Sequence, residues 1–474
     1  MDLDFDVCWR ASESRDARFD GRFYIGVHST GVYCRPICPA PSPKRENVRF
    51  YRTAAASEAA GLRPCRRCRP ELAPGTPEWL GGSAVVARGL RLIDEGFLDR
   101  YSVPALAREL FAGERQLRRL FEEHLGAPPS ALARTRRVRL ARTLLDDTAL
   151  SITDVARAAG FASLRRFNDA VRETYGRSPS ELRRNGRVVA GEALELRLSY
   201  RPPFAWDELL RFLGMRAIPG LEQVDGTIYR RAVGAGGSAA IVELEHTPPV
   251  VFLRLRGAGI EALGSTVERA RQFADLDADP EQIGAVLARD HALRDLVACR
   301  PGLRVPGAWD GFELAVRAVL GQQVSVRGAA TLAGRLVARF GERLLEPAAA
   351  VTHVFPSPDA LVEADVQAVG IPEARAETIR RLARAVAAGS LVLGPSAPFD
   401  ETRTRLLAVP GIGPWTVEYV AMRALRDPDA FPDGDLGLRR AGATWERAER
   451  WRPWRAYAAL HLWTAETERL EAAA

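Results

Sequence analysis

Apolar positions divide the chain before any other feature does. From about Val85 to Arg184 they recur at i, i+3 and i+4 between short Gly or Pro stops, the spacing of amphipathic helices. Around 188–200 the rhythm changes to alternation (ALELRLSY), and strand-like segments continue at 228–232 and 239–256, so a small β-rich region is predicted. Helical spacing returns from 260 and runs to the end. Pro and Gly cluster at ELAPGTPEWLGG (71–82), the first predicted linker. No solenoid repeat is evident, although 103–125 and 152–176 look like two copies of one helical unit. These breaks predict domains at 1–75, 84–187, 192–260 and 261–474.

At 474 residues the chain exceeds one ordinary core, and 47% hydrophobic content with mixed charge describes a globular protein rather than a disordered one. No run of roughly 18 apolar residues predicts a membrane span. The acidic start MDLDFDVCWR lacks the apolar stretch of a signal peptide. A cytoplasmic, reducing location is expected, where cysteines serve metals or catalysis more often than disulfides. Charge is uneven: residues 1–83 hold 13 basic and 10 acidic groups, 84–187 hold 20 and 13, and 188–474 hold 34 and 37. The whole +7 excess thus lies in the first 187 residues, where part of a phosphate-backbone footprint is expected. Lys44 is the only lysine.

Cys34, Cys38, Cys65 and Cys68 form C-x3-C…C-x2-C, which lets both pairs reach one tetrahedral ion, and four soft thiolates suit Zn2+. Disulfides are the alternative. The segment resembles the N-terminal methylphosphotriester-repair domain of the bacterial Ada family through TGVYCRPIC, RENVRFY and GLRPCRRCRP, over about residues 3–72. The resemblance implies that Cys34 is both a zinc ligand and the methyl acceptor. A zinc-held thiolate stays deprotonated at neutral pH and can attack a methyl group on a neutralised phosphate. Methylation removes one unit of negative charge from the centre, which implies tighter DNA binding and a damage-operated switch. The stretch CPAPSPKREN is Pro-rich where more basic residues are expected, and a purely structural zinc knuckle is the other reading. Cys8 and Cys299 stand alone and read as inert packing residues.

VPALARELFAGERQLRRLFEEHLG (103–126) reads helix, tight turn, helix, with Ala107 allowing close packing and Arg115, Arg118 and Arg119 on the second helix. SITDVARAAGFASLRRFNDAVRETYGRSPSELRR (151–184) repeats the plan, with Ser151 as cap, Gly160 at the turn, and Arg165 and Arg166 on the second helix. Basic second helices suit insertion in a major groove. A helical linker without DNA contact is the plainer alternative. Two such copies joined by an Arg-rich helix (134–142) resemble the AraC-type DNA-binding domain.

LLAVPGIGPWTVEYVAMRAL (406–425) predicts two helices about a PGIG turn, and Gly411, Gly413 and the second helix's first N–H groups can hold a DNA phosphate. Asp435, in AFPDGDLGLRR, follows Trp415 by twenty residues. This series looks like the helix-hairpin-helix DNA glycosylases, with the AlkA-type 3-methyladenine glycosylase II subfamily as the best match. It covers about 194–470 and includes PPFAWDELLRFL, AVLGQQVSV and WRPWRAYAALHLW. The resemblance implies Asp435 as the catalytic carboxylate and a base pocket of Trp415, Tyr419, Trp463 and Phe212. It also implies that Gln322 and Gln323 lie in the loop that fills the gap left by a flipped base. Each aromatic taken singly reads more readily as core. Asp433 is the rival carboxylate, set aside for its PDG turn phrase. Breaking an N-glycosidic bond builds positive charge on the sugar, which a buried carboxylate stabilises, and the target base must leave the stack to be reached. Trp415 stands where bifunctional relatives carry a Schiff-base lysine, and no lysine follows Lys44, so a lysine-based lyase is excluded.

The expected fold is multidomain and mainly α. It combines a small zinc-bound α+β domain, a helical double helix-turn-helix domain, a small β-rich domain and an all-α helix-hairpin-helix glycosylase domain. The expected protein repairs alkylated DNA as a monofunctional hydrolase, accepts methyl groups at Cys34 and regulates transcription. Its expected partners are double-stranded DNA, alkylated and promoter, and RNA polymerase, with no membrane. The rival is a DNA-binding regulator with an inactive glycosylase fold. Ada's second repair site, Pro-Cys-His-Arg, is absent from the sequence.

Overall fold

The computed structural model describes residues 3–74, 84–183, 194–235, 238–257 and 259–472. Its contacts gather the chain into two compact units: residues 1–202 with 247–269 and 276–278, and residues 203–246 with 270–275 and 279–474. Most of the predicted linker, and the start of the predicted alternation at 188–193, lie outside the described residues.

The first unit begins with helix Phe5–Glu13, whose first turn is capped by the Asp4 carboxylate accepting the Val7 N–H. A four-stranded sheet follows, in the order Val48–Tyr51, Tyr24–Val27, Val32–Cys34, Arg63–Pro64. The first three strands are antiparallel and the last runs parallel to Val32–Cys34. Phe23, Ile25, Val27, Val48 and Cys8 are buried together with Cys34 and Cys68. Burial, with Asp4 nearby, pushes the Cys8 thiol up to about 11, as an inert packing residue requires.

Two helix pairs come next, Val103–Glu109 with Glu114–Leu125 and Ile152–Ala158 with Leu164–Tyr175, and helix Pro129–Asp147 lies between them in sequence. Leu106, Leu117 and Phe121 are wholly buried in the first pair, Val155 and Phe167 in the second. Ser102, Ser151 and Ser163 each accept an N–H from the first turn of their helices. The turns are copies: the N–H groups of Phe111 and Gly160 bond back to Arg108 and Arg157. Both residues take a positive φ, +52° and +82°. Glycine adopts that backbone freely, whereas Phe111 bears a strain of about 1 kcal/mol or more with its ring left exposed. Strands Leu194–Ser199 and Val250–Arg256 of this unit pair antiparallel.

In the second unit, helix Trp206–Met215 interrupts the stretch read as β-rich. Strands Glu222–Asp225, Ile228–Ala235 and Ser238–Thr247 then form an antiparallel meander. Helix Gly311–Leu320 runs through the core, buried along its length except at Arg317. Its Phe312, Val316 and Val319 pack with Ile218, Leu336, Ile379 and Val420. The expectation of helices alone after 260 needs an addition. Arg343–Ala348 pairs with Val351–His353 as a short antiparallel hairpin. The N–H groups of Thr352 and His353 both reach the Gly220 carbonyl, at 2.8 and 3.0 Å, a distant partner invisible to local spacing. Cys299 corrects a second expectation: it ends helix His291–Cys299 exposed, not packed. Among the described residues no helix is long and apolar enough to cross a membrane.

A charge-balanced network is buried in this unit. Arg231 bonds Glu313 at 2.6 Å and Glu222 at 3.4 Å, while Arg317 bonds Glu222 at 2.9 Å and Glu313 at 3.1 Å. The Tyr229 hydroxyl donates to Glu222 at 2.6 Å. Removing one partner leaves a buried charge alone, so Glu313→Ala is expected to cost about 3–5 kcal/mol in urea unfolding. Adding Arg231→Met should recover part of that loss, because Glu222 and Arg317 then remain as a balanced pair.

Candidate functional site

Cys34 closes a strand, and the turn after it, with the Cys38 N–H on the Arg35 carbonyl, returns Cys38 to the same place. The second pair is positioned by the Cys65 N–H on the Tyr33 carbonyl. All four sulfurs lie within 4.8 Å of one another, and all four cysteines are free of disulfides. Tetrahedral zinc with Zn–S bonds of about 2.3 Å sets sulfurs roughly 3.8 Å apart, so the quartet fits one ion. The chain carries a zinc site made of these four cysteines. The Arg35 backbone N–H donates to the Cys68 sulfur at 3.3 Å, and its guanidinium bonds the Asp20 carboxylate and the Cys68 carbonyl. Cys34 lines a cavity of about 750 Å3 whose wall also includes Arg15, Lys44, Arg63, Arg66 and Arg67. The basic residues missing after Cys38 are thus supplied from elsewhere in the chain, chiefly by GLRPCRRCRP. Arg115, Arg118, Arg165 and Arg166 are all exposed on the second helices of the two helical pairs.

In the second unit, helices Phe399–Leu407 and Pro414–Arg423 flank the PGIG turn. Gly411 has φ +95°, and a Cβ there would meet the Thr378 hydroxyl at 2.1 Å, so both conformation and space demand glycine. Gly413 is the N-cap of the second helix and faces open space. The Gln322 side chain donates to the Gly411 carbonyl at 3.0 Å, which joins the LGQQVS loop to the hairpin. Gln323 beside it is exposed at φ +58°.

Asp435 caps helix Leu436–Arg440 through the Leu438 N–H at 3.1 Å. The Trp463 indole N–H reaches the same oxygen at 2.8 Å, and the Trp415 indole N–H reaches the other at 3.0 Å. Three N–H donors therefore aim at two acceptor oxygens, an arrangement a carboxylate satisfies and an amide does not. Trp415 stacks on Tyr419 with ring centres 5.2 Å apart and planes within 10°, and Tyr419 tilts against Trp463 at 6.4 Å. Asp435, Trp415, Tyr419 and Trp463 are thus together. Asp433 is exposed and, among the described residues, joins none of these contacts.

Phe212 enters the cluster through two arginines that sequence reasoning missed. The Arg423 guanidinium lies 5.0 Å from the Phe212 ring and 5.5 Å from that of Tyr419, and donates to the Tyr419 hydroxyl at 2.7 Å. Arg216 lies 3.8 Å above Phe212. Burial alone would raise the Tyr419 phenol, but Arg423 and Arg216 outweigh it and hold the phenol below its usual range. Each arginine follows its aromatic by four residues, Arg423 on the helix of Tyr419 and Arg216 as the C-cap of the helix of Phe212, a legible spacing lost among so many arginines.

Four family models match in series: the metal binding domain of Ada over 7–71, a helix-turn-helix domain over 106–185, the AlkA N-terminal domain over 195–310, and the HhH-GPD superfamily base excision DNA repair protein over 316–464. The fold and these matches define a zinc-bearing, DNA-binding regulator joined to a base-excision fold, with DNA as its partner. The probable bifunctional transcriptional activator/DNA repair enzyme AlkA of Mycobacterium tuberculosis is 46% identical over 98% of this chain and 97% of its own length, and the chain belongs to that family. DNA-3-methyladenine glycosylase 2 of Escherichia coli is 37% identical over 57% of this chain and 96% of its own. The Escherichia coli bifunctional transcriptional activator/DNA repair enzyme Ada is 33% identical over 39% of this chain and 51% of its own. A solved 3-methyladenine DNA-glycosylase from Archaeoglobus fulgidus covers 57% of this chain and 98% of its own, with TM-score 0.51 and 23% identity, a likeness of fold.

The two hairpin glycines should differ on substitution. Gly411→Ala is expected to lose about 1–3 kcal/mol in urea unfolding and to weaken duplex binding in fluorescence anisotropy. Gly413→Ala, at φ −99° with nothing within 4 Å of the new Cβ, should unfold like the parent.

Proposed function

We propose that the second unit hydrolyses the N-glycosidic bond of alkylated bases, of the 3-methyladenine type, in double-stranded DNA. We further propose that the first unit takes methyl groups from DNA phosphotriesters onto Cys34 and so regulates transcription at promoter DNA, with RNA polymerase as partner. The bacterial cytoplasm, at the nucleoid, is the setting this reading implies. The functional modules follow 1–75, 84–187, 192–260 and 261–474, a division supported by the series of family matches. The observation that carries the reading is the pair of indole N–H groups holding Asp435 beside the Trp415–Tyr419 stack.

In base release, the flipped base lodges against the aromatic rings, whose faces attract a cationic alkylated purine. The C1′–N bond breaks and its electron pair leaves with the base, which departs neutral because alkylation had made it cationic. Positive charge collects on the sugar, where Asp435 stabilises it. Water then adds its oxygen to C1′ and gives up a proton. Backbone N–H groups of the hairpin hold the DNA phosphate meanwhile. With no lysine available, the product is an intact abasic strand. In phosphotriester repair, bound zinc keeps the sulfurs as thiolates. The Cys34 sulfur forms a C–S bond to the methyl carbon as the C–O bond breaks, and the oxygen keeps the pair, restoring a phosphodiester anion.

Asp435→Asn should lose on the order of 3 kcal/mol or more of transition-state stabilisation, roughly a hundredfold in the rate of base release from methylated DNA. It should still bind that DNA, and Asp433→Asn should cost much less. The opposite ranking of the two variants would mean the wrong carboxylate, and no effect of either would leave the rival reading of an inactive fold. Mass spectrometry after incubation with methylated DNA should find one irreversible methyl group on the Cys34 peptide; a methyl on Cys38, Cys65 or Cys68 instead would move the acceptor.

A further inference from the structure

Three guanidiniums stand around Tyr419, and their bonding differs. Arg423 is saturated: it donates to the Pro306 carbonyl at 2.8 Å, the Gly307 carbonyl at 3.2 Å and the Tyr419 hydroxyl at 2.7 Å. Arg317 is held by Glu222, Glu313 and the Arg216 carbonyl. Arg216 is held by fewer bonds than either. Its guanidinium carbon lies 3.8 Å from the centre of the Phe212 ring, and its hydrogen-bond partners are the Phe212 carbonyl at 3.3 Å and the Tyr419 hydroxyl. Among the described residues no carboxylate pairs with it. Burial, with Arg423 and Arg317 close by, pushes it down to about 10. Arg216 is partly exposed, and among the described residues its remaining N–H donors have no acceptor, beside the rings proposed to receive the flipped base.

We propose that Arg216 is a specificity-determining residue of the base pocket, whose spare N–H donors select bases with an oxygen at the purine 6 position over bases with an amino group there. This rests on the reading of the second unit as a base-excision enzyme. Guanidinium N–H groups match the O6 acceptor of a guanine-type edge and meet the N6 amino donors of an adenine-type edge donor to donor. The Phe212 ring packs against the guanidinium, whose planar fork gives its hydrogen bonds direction as well as charge. The selection concerns 3-methylguanine against 3-methyladenine, which carry the alkyl group at the same ring nitrogen.

The test uses the full chain on methylated duplex DNA, with released 3-methylguanine and 3-methyladenine separated by chromatography. In Arg216→Gln the ratio of kcat/KM for 3-methylguanine to that for 3-methyladenine should fall at least tenfold. In Arg216→Lys, which keeps charge without the planar fork, it should fall by an intermediate amount. A ratio unmoved in both variants overturns the proposal, as does an equal loss on both bases, which would make Arg216 a support for Phe212. If Arg216→Gln fails to fold, Arg216→Lys alone decides by the same ratio. A parent protein that releases neither base overturns the excision reading itself, and this proposal with it. A parent that releases both while the ratio stays fixed overturns this proposal only.

Discussion

The indole N–H groups of Trp415 and Trp463 reach the oxygens of Asp435 from two different helices, and the Leu438 N–H joins them from a third. Much of the second unit's architecture follows from making that meeting possible. Trp415 must leave the hairpin at a fixed angle, which the glycine at 411 and the Thr378 hydroxyl under it enforce. Asp435 sits at the end of a loop, and that loop is tied down where the Phe431 N–H bonds Glu418, itself held by Arg403. Gly437 carries no side chain, and a Cβ there would come within 3.2 Å of the Trp463 ring. On the proposed mechanism, a carboxylate fixed before the substrate arrives needs no reorganisation when positive charge develops on the sugar, the condition under which electrostatic stabilisation is most effective.

Arginine recurs wherever this chain buries charge. Arg201, Arg231 and Arg304 rank among its largest fully buried side chains. A guanidinium spreads its charge and offers five donors in a plane, so it can satisfy several acceptors at once, as Arg423 does with two carbonyls and a phenol hydroxyl; an ammonium is a compact and strongly hydrated point. The use of arginine in place of lysine has a chemical consequence too. A guanidinium remains protonated and forms no Schiff base, so Arg216 and Arg423 offer the proposed site no amine nucleophile, which fits the proposed hydrolysis through Asp435.

Legibility in the sequence followed the range of the interaction. The Ser151 cap, the two helical pairs and the PGIG turn are local, and the structure has them where spacing and turn chemistry predict. The cysteine quartet was readable because each pair is local and only their meeting is long-range. The hairpin at 343–353 was not, since its strands are completed by the carbonyl of Gly220. Helix Trp206–Met215 was hidden by its strand-forming neighbours. Cys299 looked like a packing residue because a lone cysteine usually is one, yet its position on the helix turns it outward. For the site, the aromatics and Asp435 were legible through resemblance, whereas Arg216 and Arg423 acquire meaning only from the rings they cover.

The two proposed chemistries also differ in what they leave behind, and this bears on why one chain would hold both. A carboxylate that stabilises a passing charge forms no lasting bond, so Asp435 is free again once the base departs. A thiolate that captures a methyl group makes a thioether with no good leaving path, and Cys34 is spent after a single event. A group used once is a poor catalyst and a good record. The record lies in a cavity lined by Arg15, Lys44, Arg63, Arg66 and Arg67, where losing one negative charge from the sulfur cluster changes the field that an approaching phosphate meets. A one-time sensor of damage and a renewable remover of damage then act on one polymer, and the count kept by the first can set how much of the second is made.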